Sequence, residues 1–142
     1  MQEARQLNRP GKLIAGREVW TREDLTRDTS WIRMLDSREV GEVLNAVQQV
    51  RRRNLDLLEI TPAEFPLPIL SDKLAEIAEE LETGRGLVQI RGLPVSDLPS
   101  QDRKVMIWGL GTYLGVGLSQ SKKGDFLGEV TDLSVDVAAS DA

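Results

Sequence analysis

The groups available for chemistry are carboxylates, arginines, lysines, one tyrosine and small polar side chains, because the 142 positions contain no histidine and no cysteine. That absence removes Ser-His-Asp and Cys-His nucleophilic machinery, imidazole zinc sites and a two-His-one-carboxylate iron site supplied by this chain. It also removes disulfides and thiolate ligands. Asp125, Asp132, Asp136 and Asp141 offer oxygen ligands. A hard cation needs several such oxygens to converge, so solvated acids are the preferred reading. Arg51-Arg52-Arg53 is the basic run. It falls at the end of a predicted helix, where cations meet the negative end of the dipole, and this is preferred over a phosphate patch. Gly109, Gly111, Gly115 and Gly117 suggest a dinucleotide loop. That loop needs glycines directly after a strand and at the opening of a helix, whereas these lie inside and beyond a helix, so close packing is preferred.

The chain that must position these groups has globular composition. Apolar residues make up 40% and charged residues 29%, outside the regime of disordered chains. The length predicts one domain or a piece of one. Eighteen Lys and Arg against 23 Asp and Glu leave a net charge of −5, which argues against nucleic acid as a partner, since phosphate binding needs a basic surface. No segment reaches the length of a signal-peptide core or a membrane span, so no membrane association is expected and the expected location is cytoplasmic.

The central stretch runs from Leu81 to Val95. Leu74, Ile77, Ala78 and Leu81 recur at helical spacing until Thr83-Gly84, where a glycine can adopt the left-handed conformation. Leu87–Arg91 then reads as one buried strand, ended by Gly92 and Pro94. Before it, residues 1–19 read as an extended arm with a short edge strand at Leu13-Ile14. Thr21 and Asp24 form a capping box, and Trp20 and Trp31 are expected to be packing anchors. Asp36 and Glu39 start a helix whose Val40, Val43, Leu44, Val47 and Val50 make an apolar face, with Arg38, Glu42, Gln48 and Gln49 on a solvated one. Thr61-Pro62-Ala63-Glu64 starts a short rigid turn, under which Phe65, Leu67, Ile69 and Leu70 pack, and Ser71 or Asp72 opens the next helix. Ser100 is expected to cap a third helix containing Val105, Met106, Ile107, Leu110 and Leu114. A polar loop from Ser119 to Asp125 and a strand at Phe126–Val130 follow.

The Gly84-Arg85-Gly86 and Arg91-Gly92-Leu93-Pro94 turns, with Phe65-Pro66-Leu67-Pro68 before and Trp108-Gly109-Leu110-Gly111, Leu114-Gly115, Gly124 and Val130 after, resemble a known order. It is that of the amino-terminal part of the taurine dioxygenase-like (TauD/TfdA) iron(II) and 2-oxoglutarate-dependent oxygenases. The resemblance implies an α+β arrangement in which helices outweigh strands: the amino-terminal helices and first strands of a double-stranded β-helix (jelly-roll, clavaminate synthase-like) fold, incomplete. It divides the chain into an arm at 1–19, the family part at 20–132 and an acidic tail at a truncation at 133–142.

The resembled family holds Fe(II) through a His-x-Asp pair and a distant second His, leaving positions for 2-oxoglutarate and oxygen. An arginine near the carboxyl end of that domain binds the co-substrate. The His-x-Asp follows shortly after the region matched by Gly128–Asp132, so the resemblance implies Fe(II) and 2-oxoglutarate for the complete domain and none held by this chain's own family ligands. It nevertheless attaches the terms oxidoreductase, dioxygenase, iron and 2-oxoglutarate to the chain. In relatives acting on amino acids the loop before the last matched strand approaches the substrate, which makes Ser119 and Gln120 the candidate substrate-binding residues. A Gln amide can donate to a carboxylate and accept from an ammonium group, or it can satisfy backbone groups of its own loop. The expected function is the amino-terminal part of an oxygenase that oxidises a C–H bond of a small, amino-acid-like substrate, catalytically incomplete here. The alternative is a non-catalytic binding or regulatory module that pairs with a full-length relative through an open sheet edge.

Overall fold

Asp36 takes an extended backbone and accepts from the N–H groups of Arg38 and Glu39, while Glu39 reaches back to the Asp36 N–H, so a 17-residue helix starts where the sequence predicts. The computed structural model describes residues 10–11, 13–119, 122 and 124–130. Its elements are α1 (Arg22–Arg27), β1 (Ile32–Met34), α2 (Ser37–Arg53), a single 3₁₀ turn (Leu57–Glu59), α3 (Ser71–Thr83), β2 (Gln89–Arg91) and α4 (Ser100–Gly111). The fold is α+β, with several helices and a short open sheet of two parallel strands.

Helix α2 supplies the floor of the core. Val43, Ala46, Val47 and Val50 are buried against Phe65, Leu67 and Leu70 from the proline-rich segment, Leu74 and Ile77 from α3, and Val105, Met106 and Leu110 from α4. Burial of these side chains is the main stabilising contribution, at about 1.5–3 kcal/mol for each large apolar residue. Asn54 ends α2 in the left-handed conformation, and Arg51 in its last turn pairs with the buried Asp102 of α4 at 3.0 Å.

Polar side chains fix the segment between α2 and α3. Glu42, expected on a solvated face, instead accepts from the N–H groups of Ile69 and Leu70, both at 2.8 Å. Ile69 and Leu70 lie in the turn that enters α3, and the N–H groups of that turn need an acceptor from elsewhere. The hydroxyl of Tyr113 accepts from the Leu67 N–H at 3.0 Å and donates to the Phe65 carbonyl at 2.9 Å. Lys73 reaches Glu39 at 2.6 Å and the Met34 carbonyl at 3.0 Å, and so ties α3 to α2 and to β1.

Several expectations are corrected. The strand of the central stretch covers only Gln89–Arg91, and Ile90 is half-buried, because a lone parallel partner covers it incompletely. Its partner Ile32–Met34 is a strand that the sequence pattern does not predict. Phe126–Val130 forms no strand; Phe126 meets Trp108 edge-on at 6.0 Å and Val130 is fully exposed. Leu13 and Ile14 are exposed and form no strand. Gly84 does not take the left-handed conformation; Gly86 does, with φ +73°. Gly84 is needed for a different reason, since a Cβ there would lie 2.7 Å from the Glu80 carbonyl. Trp20 and Ile69 are only partly covered, at 42% and 45% exposed, and Ser100 is the first residue of α4 instead of its cap. The tail at 133–142 lies outside the described residues.

Candidate functional site

Ser119 is exposed on the chain that follows α4, and Gln120 lies outside the described residues. Ser119 does not line either of the two concavities described below.

The larger concavity, of about 440 Å³, is built around Arg85. Gly84 and Gly86 let the chain leave α3 sharply and turn the arginine back under it. Its Nη2 donates to Asp28 Oδ2 at 2.8 Å and to Ser30 Oγ at 2.6 Å, while Nε lies 3.5 Å from Glu80 Oε1. The Arg85 N–H also donates to Glu80, and its carbonyl accepts from the Trp20 indole at 3.2 Å. Arg17 holds the second Glu80 oxygen at 3.3 Å. Trp20, Val19 and Leu25 form the apolar part of the wall. The Asp28 carboxyl is held below the usual range, first by the Ser30 N–H and hydroxyl and then by Arg85 and Arg17, against a cost of desolvation. These hydrogen bonds and ion pairs tie the end of α3 to the segment that follows α1. Sequence reasoning placed Arg85 in a turn but missed its partners; an arginine between two glycines was the available signal.

The smaller concavity, of about 270 Å³, lies where Trp108 and Lys104 of α4 face Leu57, Leu58 and the segment Asp125–Leu127. Lys104 pairs with Glu129 at 2.5 Å and holds that carboxyl below its usual range. The Trp108 indole nitrogen is buried without an acceptor among the described residues. Gly117 passes so close to this ring that a Cβ would stand 2.5 Å from it.

Neither place fits iron. The sequence has no His or Cys, and among the described residues no group of three or more His, Cys, Asp and Glu is placed to hold a metal ion. Asp24, Asp36 and Glu64 are engaged in capping hydrogen bonds with Thr21, with Arg38 and Glu39, and with Thr61. The terms iron, 2-oxoglutarate and dioxygenase that the resemblance attached to this chain are overturned by these findings. Among the described residues no helix is long and apolar enough to cross a membrane.

No protein-family model matches the sequence. The chain is similar to FR-33289 synthase of Streptomyces rubellomurinus (strain ATCC 31215), 28% identical over 121 residues, which cover 85% of this chain and 36% of that protein. The chain thus spans about a third of the length of the curated relative it matches.

Proposed function

We propose that this chain is a scaffold part of a longer protein: the amino-terminal helices and first strands of a TauD/TfdA-like jelly-roll fold, contributing packing and no catalytic or metal-holding group. The observation that carries the reading is the alignment, which takes in 85% of this chain and only 36% of the relative. A sheet of two parallel strands supports it, because parallel strands belong to larger sheets covered on both faces and two strands alone are marginal. The turns at Gly84–Gly86 and Arg91–Pro94 that carry the family resemblance both flank β2. Oxidation of a small, amino-acid-like substrate belongs, on this reading, to the complete fold, with its Fe(II) and 2-oxoglutarate held by other polypeptide. The purified chain supplied with Fe(II) and 2-oxoglutarate is expected to form no succinate; turnover would refute the proposal. Translating the DNA that follows codon 142 in all three forward frames supplies the second arm. A His-x-Asp with a later His and Arg supports the scaffold reading, and their absence in every frame rejects it.

The second reading, a self-standing module that pairs with a full-length relative, is favoured by the saturated ion pairs around Arg85 and by the open sheet.

A further inference from the structure

The two edges of the sheet are not equivalent. Gln89 N–H donates to the Trp31 carbonyl and Leu35 N–H to the Arg91 carbonyl, both at 2.9 Å, so Gln89 and Arg91 direct their backbone groups at β1. The alternation of a parallel ladder then directs the N–H and carbonyl of Ile90 away from β1, to the far edge of β2. The far edge of β1 is obstructed. Its Ile32 N–H is taken by the Thr29 carbonyl at 2.9 Å, and its Met34 carbonyl by the ammonium group of Lys73 at 3.0 Å. A lysine lodged on an edge strand, itself anchored by Glu39, is a common obstacle to strand addition. Among the described residues one edge is obstructed, and the other has no backbone partner at Ile90.

A sheet with a single usable edge cannot grow into a filament, because each added copy needs a second edge to continue. Twofold pairing consumes the open edge of both copies. We propose that in the chain by itself, the state that the second reading above describes, β2 is a self-association edge, on which a second copy of this chain seats antiparallel about Ile90, giving a four-stranded sheet. The side chains suit that occupant. Pairing about Ile90 sets Ile90 opposite Ile90 on the half-buried face and Gln89 opposite Arg91 on the exposed one. Arg91 Nε already donates to Gln89 Oε1 at 3.0 Å within one chain, so the amide–guanidinium contact across the axis is chemically the same and no like charges are set directly opposite. Four strands also pass the point at which a sheet stabilises itself.

The test is sedimentation velocity of the chain over a range of concentrations, alongside hydrogen exchange. A concentration-dependent dimer is expected, with the Ile90 amide gaining protection as it forms. Gln89→Arg, at an exposed position that leaves the fold intact, sets a guanidinium against Arg91 of the second copy and is expected to weaken the dimer roughly tenfold or more. Adding Arg91→Glu in the same chain is expected to restore it. A monomer at every concentration, open-ended growth, association indifferent to Gln89→Arg, or no rescue by the double variant would each overturn the proposal.

Discussion

Gly109 lies flat against the ring of Phe65: a β-carbon at position 109 would stand 2.5 Å from the ring's Cγ and Cδ2. The contact lets α4 approach the proline-rich segment, and it explains why a helix former is absent from that position. Gly109→Ala is expected to destabilise the fold by about 1–3 kcal/mol through overpacking, despite the gain in helix propensity. Gly41, in the middle of α2, is the opposite case, since a β-carbon there would meet nothing within 4 Å. Gly41→Ala is expected to stabilise by about 0.5–1 kcal/mol. Urea midpoints for the two variants should move in opposite directions.

Tyr113 holds the same segment through its hydroxyl, which accepts from Leu67 N–H and donates to the Phe65 carbonyl. Tyr113→Phe keeps the ring and leaves a part-buried N–H without its acceptor, at an expected cost of about 1–3 kcal/mol. Chemical denaturation at fixed pH measures it. An unchanged midpoint would mean that water takes over the hydroxyl's place.

Acid should loosen the molecule at the starts of α1 and α2 and at the turn that follows α1. The Asp24, Asp28 and Asp36 carboxyls all sit below the usual range, chiefly because backbone N–H groups of Thr21, Ser30 and Glu39 respectively hydrogen-bond to them. A carboxyl whose folded pKa is depressed adds stability that is present above its unfolded value, near 4, and lost as pH falls through the folded one. Melting temperature is therefore expected to be flat from pH 7 to about 5 and to fall below about 4. Asp36→Asn should flatten that fall while lowering the plateau little, because asparagine also caps.

Much of the local architecture was legible because its signals are local. Thr21 with Asp24 and Asp36 with Glu39 act within a few residues, and both capping boxes form where the sequence predicts them. Phe65, Leu67 and Leu70 are buried as expected beneath the Thr61 turn. Ile32–Met34 was illegible, since three residues carry no periodicity and become a strand only through a distant partner. Glu42 departs from its expected place for the same reason: its surroundings are set by α3, not by its own helix. Phe126–Val130, after a polar loop, read as a strand, yet no partner strand meets it among the described residues. Of the candidate site, Ser119 is exposed and Gln120 is not among the described residues, so the sequence's one substrate-contact expectation gained no geometry.

The Arg85–Asp28 pair closes 57 positions of chain, and the two strands meet across a comparable span. Closing a loop of that size costs entropy before any contact repays it, whereas α2 and α3 can form on their own local signals. The expected order on the way to the native state is helices first and the strand pairing last. Contacts made after the rate-limiting barrier hold the folded state without hastening its arrival. Arg85→Lys, which cannot keep the Nη2 bonds to Asp28 and Ser30 together with the Nε contact to Glu80, is expected to raise the unfolding rate roughly fivefold and to leave the refolding rate unchanged in stopped-flow measurements. The glycine-flanked arginine is thus a latch on the escape route, setting how long the molecule stays folded and not how quickly it gets there.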